Sequence, residues 1–268
     1  MTTSAASRPA FQVYPLRFSA DPAAMIDFLR TIGLVPAVTT AGETFGELVA
    51  GGGGHVMVHG VADAATRARS GQTHLCFAVD STDDAAEALR SSGAEVRVWD
   101  ETYGRQGSVR GPHGEGISLN EIQRDLYGYR GHDASGADPR LAVTAVRASA
   151  AGDEREQDRR FFAAFGFEPA VEGNRWWQAL TVAGGGLIGL HDPSGTVSAT
   201  APGDEVFGDV ALVRLGLETE EDLADLAERL GAAGHPARVV ESDGVTAVHV
   251  EDPDGCPLEI HPRTRSER

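Results

Sequence analysis

The chain repeats itself, and that duplication restricts its fold more than any single motif does. Four landmarks occur in the same order in both halves. A strand at 13–18, followed by a helical segment at 25–36, returns at 143–148 and 158–169. Glycines 51–54 feed an alternating strand at 55–59 that ends in His59, and glycines 184–186 feed another at 187–191 that ends in His191. A strand and amphipathic helix at 74–93 return at 212–231, where Leu223, Leu226, Ala227 and Leu230 recur at helical spacing. A turn rich in Pro and Gly, with a last strand behind it, closes each half at 111–120 and 252–261.

Each half therefore reads β-α-β-β-β twice. The expected division is one domain at 1–127 with a short disordered N-terminus, a linker at 128–139 marked by Gly131, Ser135, Gly136 and Pro139, and a second domain at 140–264. A length of 268 residues suits two domains, each able to bury a core. These landmarks resemble the vicinal oxygen chelate superfamily, which includes glyoxalases, bleomycin-resistance proteins and dioxygenases. VEDPDGCPLE at 250–259 carries the likeness best, followed by HLCFAVD at 74–80. The resemblance covers nearly the whole chain. It implies an α+β fold of two tandem domains, each a pair of βαβββ modules forming an eight-stranded curved sheet with helices outside.

Charge narrows the partners. The net charge of −17 disfavours nucleic acid and acidic membranes, since both need a clustered positive surface. All 23 basic residues are arginine, which excludes Schiff-base chemistry on a lysine. There is no apolar run of membrane-spanning length and no secretory signal pattern at the N-terminus, so the expected location is the cytoplasm. Cys76 and Cys256 lack the spacing of a disulfide framework or zinc ribbon and read as incidental thiols.

Strand alternation sorts cup-facing side chains from helix-facing ones if the apolar set faces the helices. On that assumption Leu16, Phe18, Val56, Val58, Leu75, Phe77, Val79, Ile117 and Leu119 are core. The first cup is then lined by Val13, Pro15 and Arg17, by His55, Met57 and His59, by His74 and Cys76, and by Ser118 and Asn120. The second is lined by Val143, Ala145 and Arg147, by Leu187 and His191, by Leu212 and Arg214, and by Glu259 and His261, with Trp177 as an aromatic wall. Arg17 and Arg147 read either as anion anchors inside the cups or as salt bridges at strand ends.

The resemblance implies a divalent metal held by one residue on the first strand, one opening the third landmark and one carboxylate on the last strand. The matching positions are Val13, His74 and Ser118 in the first half and Val143, Leu212 and Glu259 in the second. One competent ligand per half is too few, so the expectation is no cofactor, with a single divalent metal at His55, His59 and His74 as the alternative. The leading functional reading is a metal-independent protein that sequesters an aromatic or antibiotic-like small molecule. The alternative is a glyoxalase-like or dioxygenase-like enzyme, with a nonstandard metal site or with His59, His74 or Glu259 as acid and base. A small-molecule ligand is the expected partner, bound by a monomer holding an internal pseudo-dimer or by a homodimer.

Overall fold

A computed structural model describes residues 10–263 apart from 65–66, 102–103, 123–125, 127, 194–196 and 243. The expected disordered start at 1–9, and the boundary positions 127 and 264, lie outside the described residues. The first half contains β1 (Phe11–Val13), β2 (Leu16–Ser19), α1 (Pro22–Ile32), β3 (Val35–Thr39), β4 (Phe45–Val49) and β5 (His55–Gly60). It continues with β6 (Thr73–His74), β7 (Cys76–Val79), α2 (Thr82–Ser91), β8 (Val96–Glu101), β9 (Gly104–Arg110) and β10 (Gly116–Glu121). A short strand, β11 (Arg130–Gly131), leads into the second half. There β12 (Leu141–Ala148), α3 (Asp153–Ala163), β13 (Glu168–Pro169), β14 (Trp177–Thr181) and β15 (Leu187–His191) form one module. A hairpin of β16 (Thr200–Asp204) and β17 (Gly208–Ala211) follows. β18 (Arg214–Thr219), α4 (Leu223–Ala232), β19 (Ala237–Ser242), β20 (Val245–Glu251) and β21 (Pro257–Pro262) complete the chain.

Local chemistry explains the helix ends. Asp21 accepts from the Ala24 amide at 3.0 Å with Pro22 in the first turn, and Gly33 follows α1 at φ 127°, a conformation that suits glycine. Asp222 caps α4 through the amides of Ala224 at 2.8 Å and Asp225 at 3.2 Å. α3 has no side-chain cap, but Asp153, Glu154 and Glu156 oppose the positive end of its dipole.

The duplication is visible in strand pairing. β2 lies parallel to β5 and antiparallel to β6, just as β12 lies parallel to β15 and antiparallel to β18. β7 with β10 and β18 with β21 repeat the other parallel pair. The second half forms one eight-stranded sheet in the order β13-β14-β15-β12-β18-β21-β20-β19. In the first half the strand equivalent to β12 is broken around Pro15, which has no amide proton for a ladder. β1 pairs with β7, and β2 with β5 and β6, so the strands of this half fall into two sheets, one of six strands and one of seven that also takes in β16 and β17. The architecture is α+β, with three sheets, four helices and no closed barrel among the described residues.

The two halves are joined by shared sheet and shared core. The β16-β17 hairpin, which the sequence reading missed, extends the first-half sheet through Gly116 and Val210. The Leu75 amide donates to the Ala211 carbonyl at 2.9 Å, and the Val213 amide to the Thr73 carbonyl at 3.0 Å. One buried apolar cluster runs across both halves. Phe77 of β7 meets Phe162, Phe165 and Phe167 of the second half with ring centroids 6.3, 4.7 and 5.7 Å away. No helix is long and apolar enough to cross a membrane among the described residues.

One glycine is required by a close approach. A Cβ on Gly189 would lie 2.0 Å from the Trp177 ring, which covers that glycine on the neighbouring strand. Gly189→Ala is expected to displace the indole and cost roughly 1–3 kcal/mol through overpacking. The checks are a lower urea midpoint and red-shifted tryptophan emission.

Candidate functional site

Packing sorts the faces of each sheet. In the first half, Tyr14, Leu16, Met57, Cys76 and Ala78 cluster on the cup side, while Val13, Val56, Val58, Phe77 and Leu119 join the helix-side core. Phe18 also lies with the cup histidines, its ring centroid 4.7 Å from His74 and 6.0 Å from His59. The expected assignment is therefore reversed on the first strand: Leu16 and Phe18 belong to the cup, and Val13 and Arg17 to the opposite face.

The expected first-cup polar residues are dispersed by this packing. His55 Nδ1 meets Glu47 Oε1 at 2.7 Å, and burial together with Glu47 holds the Tyr14 phenol well above its usual range. Glu47 was missed in the sequence, although it is the one charged side chain in the otherwise apolar-facing alternation Phe45, Glu47, Val49. His59 Nδ1 donates to the Gly60 carbonyl at 2.8 Å. His74 is buried, receives the Gln72 amide at 3.0 Å, and is pushed down to about 4 by burial. Cys76 is buried between Ser118 and Asn120, and burial pushes its thiol up to about 12, which leaves it a poor nucleophile. His55, His59 and His74 do not converge: the one group of three or more potential ligands within 4.8 Å, among the described residues, lies elsewhere.

The second cup brings more of the expected residues together. Ala142, Ala179, Leu187 and Trp177 pack on the cup face, and Val143 and Ala145 on the helix face, which again reverses the expectation for the first strand of the module. A cavity of about 270 Å³ is lined by Val146, Ala148, His191, Leu212 and Arg214, with Gly71 to Thr73 of the first half at its edge. Trp177 flanks His191 with ring centroids 6.1 Å apart. Burial, then the nearby Arg214 charge, lowers the His191 pKa below the usual imidazole range. On the same face His261 Nε2 meets Glu259 Oε2 at 3.1 Å, and that contact lowers the Glu259 pKa. His249, directly across from Glu259 on β20, was also missed.

Arg17 and Arg147 line neither cup. Arg17 bonds Thr73 Oγ1 at 3.2 Å, the Gly71 carbonyl, and Asp252 of the other half's closing turn. Arg147 bonds Glu115 of the first half's closing turn at 2.5 Å and Asp158 of α3 at 3.0 Å. The turns thus exchange carboxylates reciprocally. The Asp252 carboxylate also accepts the Asp254 and Cys256 amides at 3.0 and 2.9 Å, which explains the sequence of that turn. In the first half the matching position is Gly111, and the Glu115 carboxylate occupies the space a Cβ there would fill. The strand-end salt-bridge reading of both arginines holds.

No family model and no curated protein matches the sequence. Solved structures do match. A variant of homoprotocatechuate 2,3-dioxygenase from B. fuscum is 13% identical over 97% of this chain and 74% of its own, with a TM-score of 0.58. The native homoprotocatechuate 2,3-dioxygenase from Arthrobacter globiformis is 13% identical over 96% and 79%, with a TM-score of 0.56. A Mn(II)-bound glyoxalase from Novosphingobium aromaticivorans is 15% identical over 95% and 81%, with a TM-score of 0.54. The chain has the vicinal oxygen chelate fold, as its repeats imply.

These findings overturn the expectation of no cofactor. One protein of this fold is a Mn(II)-bound glyoxalase, and His113, Glu154 and Asp158 of this chain offer ligand atoms within 4.8 Å of one another. The position that the resemblance implies for a metal is less suited. Of Val143, Leu212 and Glu259, Val143 is buried in the helix-side core and only Glu259 offers a ligand atom, and one carboxylate does not make a divalent site.

Proposed function

We propose that the chain is an enzyme that moves a proton on a small anionic carbonyl compound bound in the second cup. The observation that carries this reading is His191 beside Arg214 in one cavity. A depressed pKa keeps the imidazole neutral and able to accept a proton near pH 7. Arg214, at the rim, supplies a planar cation for a carboxylate or a developing enolate oxygen. His191 takes the proton from the carbon next to the carbonyl, and the electron pair passes to the carbonyl oxygen. The His191 imidazolium then returns the proton to the neighbouring carbon, and the hydrogen-bonded Glu259 and His261 lie on the same face. The likeness in fold to dioxygenases and a glyoxalase supports an enzymatic reading over sequestration of a ligand.

The test is hydrogen–deuterium exchange at that carbon, followed by NMR across a panel of 2-oxo acids and 2-hydroxy aldehydes. His191→Gln is expected to slow exchange about 100-fold at little change in KM. Arg214→Gln is expected to raise KM roughly tenfold. Saturable binding without exchange would return the protein to a sequestering role. Exchange unaffected by either substitution would move the chemistry out of the second cup.

A further inference from the structure

Two fully buried carboxylates, Glu115 and Asp158, share one fully buried guanidinium, that of Arg147. This leaves one unit of negative charge without a buried partner, and a buried uncompensated charge is strongly unfavourable. Asp158 Oδ1 accepts from Arg147, but Asp158 Oδ2 is buried with no hydrogen-bond partner. In the other half Asp254 Oδ1 collects the hydroxyls of Ser19 and Ser70 and the Ala20 amide, while Oδ2, also buried without a hydrogen bond, faces Arg17 Nε at 3.8 Å.

Next to Asp158 stand a second carboxylate and an imidazole. Glu154 lies one turn earlier on α3, so both side chains share a face. His113 comes from the closing turn of the first half, where the Gln157 amide donates to the Pro112 carbonyl at 3.0 Å and the His113 amide to Glu115 Oε2 at 2.8 Å. His113 Nε2 is 3.7 Å from Asp158 Oδ1 and 3.9 Å from Glu154 Oε1. Those separations are too long for hydrogen bonds. Ligands about 2.0–2.2 Å from a tetrahedral ion lie about 3.3–3.6 Å apart, a few tenths of an ångström closer than these atoms.

We propose that His113, Glu154 and Asp158 hold one divalent cation of the zinc or manganese class, which clamps the first half's closing turn to α3 of the second. One imidazole and two carboxylates suit that class, and the ion supplies the positive charge that Glu115 and Asp158 lack. The site is on the helix side of β12, away from the second cup, and it braces the halves without touching substrate. The rival source of positive charge is a protonated His113 without any ion.

The experiment is calorimetric titration of chelator-stripped, dialysed full-length protein with Zn²⁺ and with Mn²⁺ at pH 7.5, alongside thermal melts. Wild type is expected to take up one equivalent of at least one of the two ions and to melt at a higher temperature when loaded. Glu154→Gln and His113→Asn replace part-exposed side chains, so both are expected to keep the metal-free circular dichroism of wild type. Each is expected to weaken uptake roughly 100-fold or more and to lose the melting shift. Absence of stoichiometric uptake of either ion by wild type would overturn the site in favour of a protonated His113. Undiminished uptake by Glu154→Gln would overturn it too, by placing the ion elsewhere.

Discussion

Arg147→Met is expected to destabilise the protein by about 3–5 kcal/mol, because it removes the guanidinium that two fully buried carboxylates share. Methionine fills most of the volume, so the loss reports charge rather than a cavity. Glu115→Gln is the control. It leaves one carboxylate for one guanidinium and is expected to lose much less. Urea unfolding, followed by circular dichroism, reads both. A change under about 1 kcal/mol in Arg147→Met would mean that Asp158 and Glu115 are protonated or hydrated in the native state, against the pairing described above. The effect should reach both halves, since Glu115 belongs to the first and Asp158 to the second.

Acid is expected to weaken the fold through His74, whose pKa in the folded protein is about 4 against an ordinary 6.5. A depressed histidine binds more protons when unfolded, so its contribution is complete above pH 6.5 and disappears as the pH falls through 4. The difference corresponds to roughly 3 kcal/mol across that window. Burial is the leading cause, and Asp204 opposes it. His74→Gln cannot take up a proton there, so its stability should fall less steeply between pH 6.5 and 4. Equal slopes for variant and wild type would show that His74 does not drive the acid transition. His74 Nε2 also receives the Gln72 amide at 3.0 Å, which ties the neutral ring to the strand it sits on.

Much of the fold was legible because it is repeated. Two copies of a pattern constrain each other, so the glycine-fed strands could be matched as counterparts, and in the structure each lies parallel to the first strand of its half, β5 to β2 and β15 to β12. The site was legible where the cup face is polar and the opposite face apolar. Glu259 and His261 alternate with Leu258 and Ile260, and His55 and His59 with Val56 and Val58, and the four apolar residues lie in the core. The same rule failed on the first strand of each half. Arg17 and Arg147 are each buried on the helix face with a carboxylate more than 30 residues away in sequence, Asp252 for Arg17 and Glu115 for Arg147.

The sequence by itself determined the repeat, the helix caps and the strand periodicities, because each depends on residues a few positions apart. Tertiary structure alone decided which face Arg17 and Arg147 take, that the β16-β17 hairpin extends the other half's sheet, and that His113 meets Glu154 and Asp158. The physical reason is common to all three. A charged side chain or a strand edge belongs wherever its partners are, and here at least one partner of each comes from the other half of the chain.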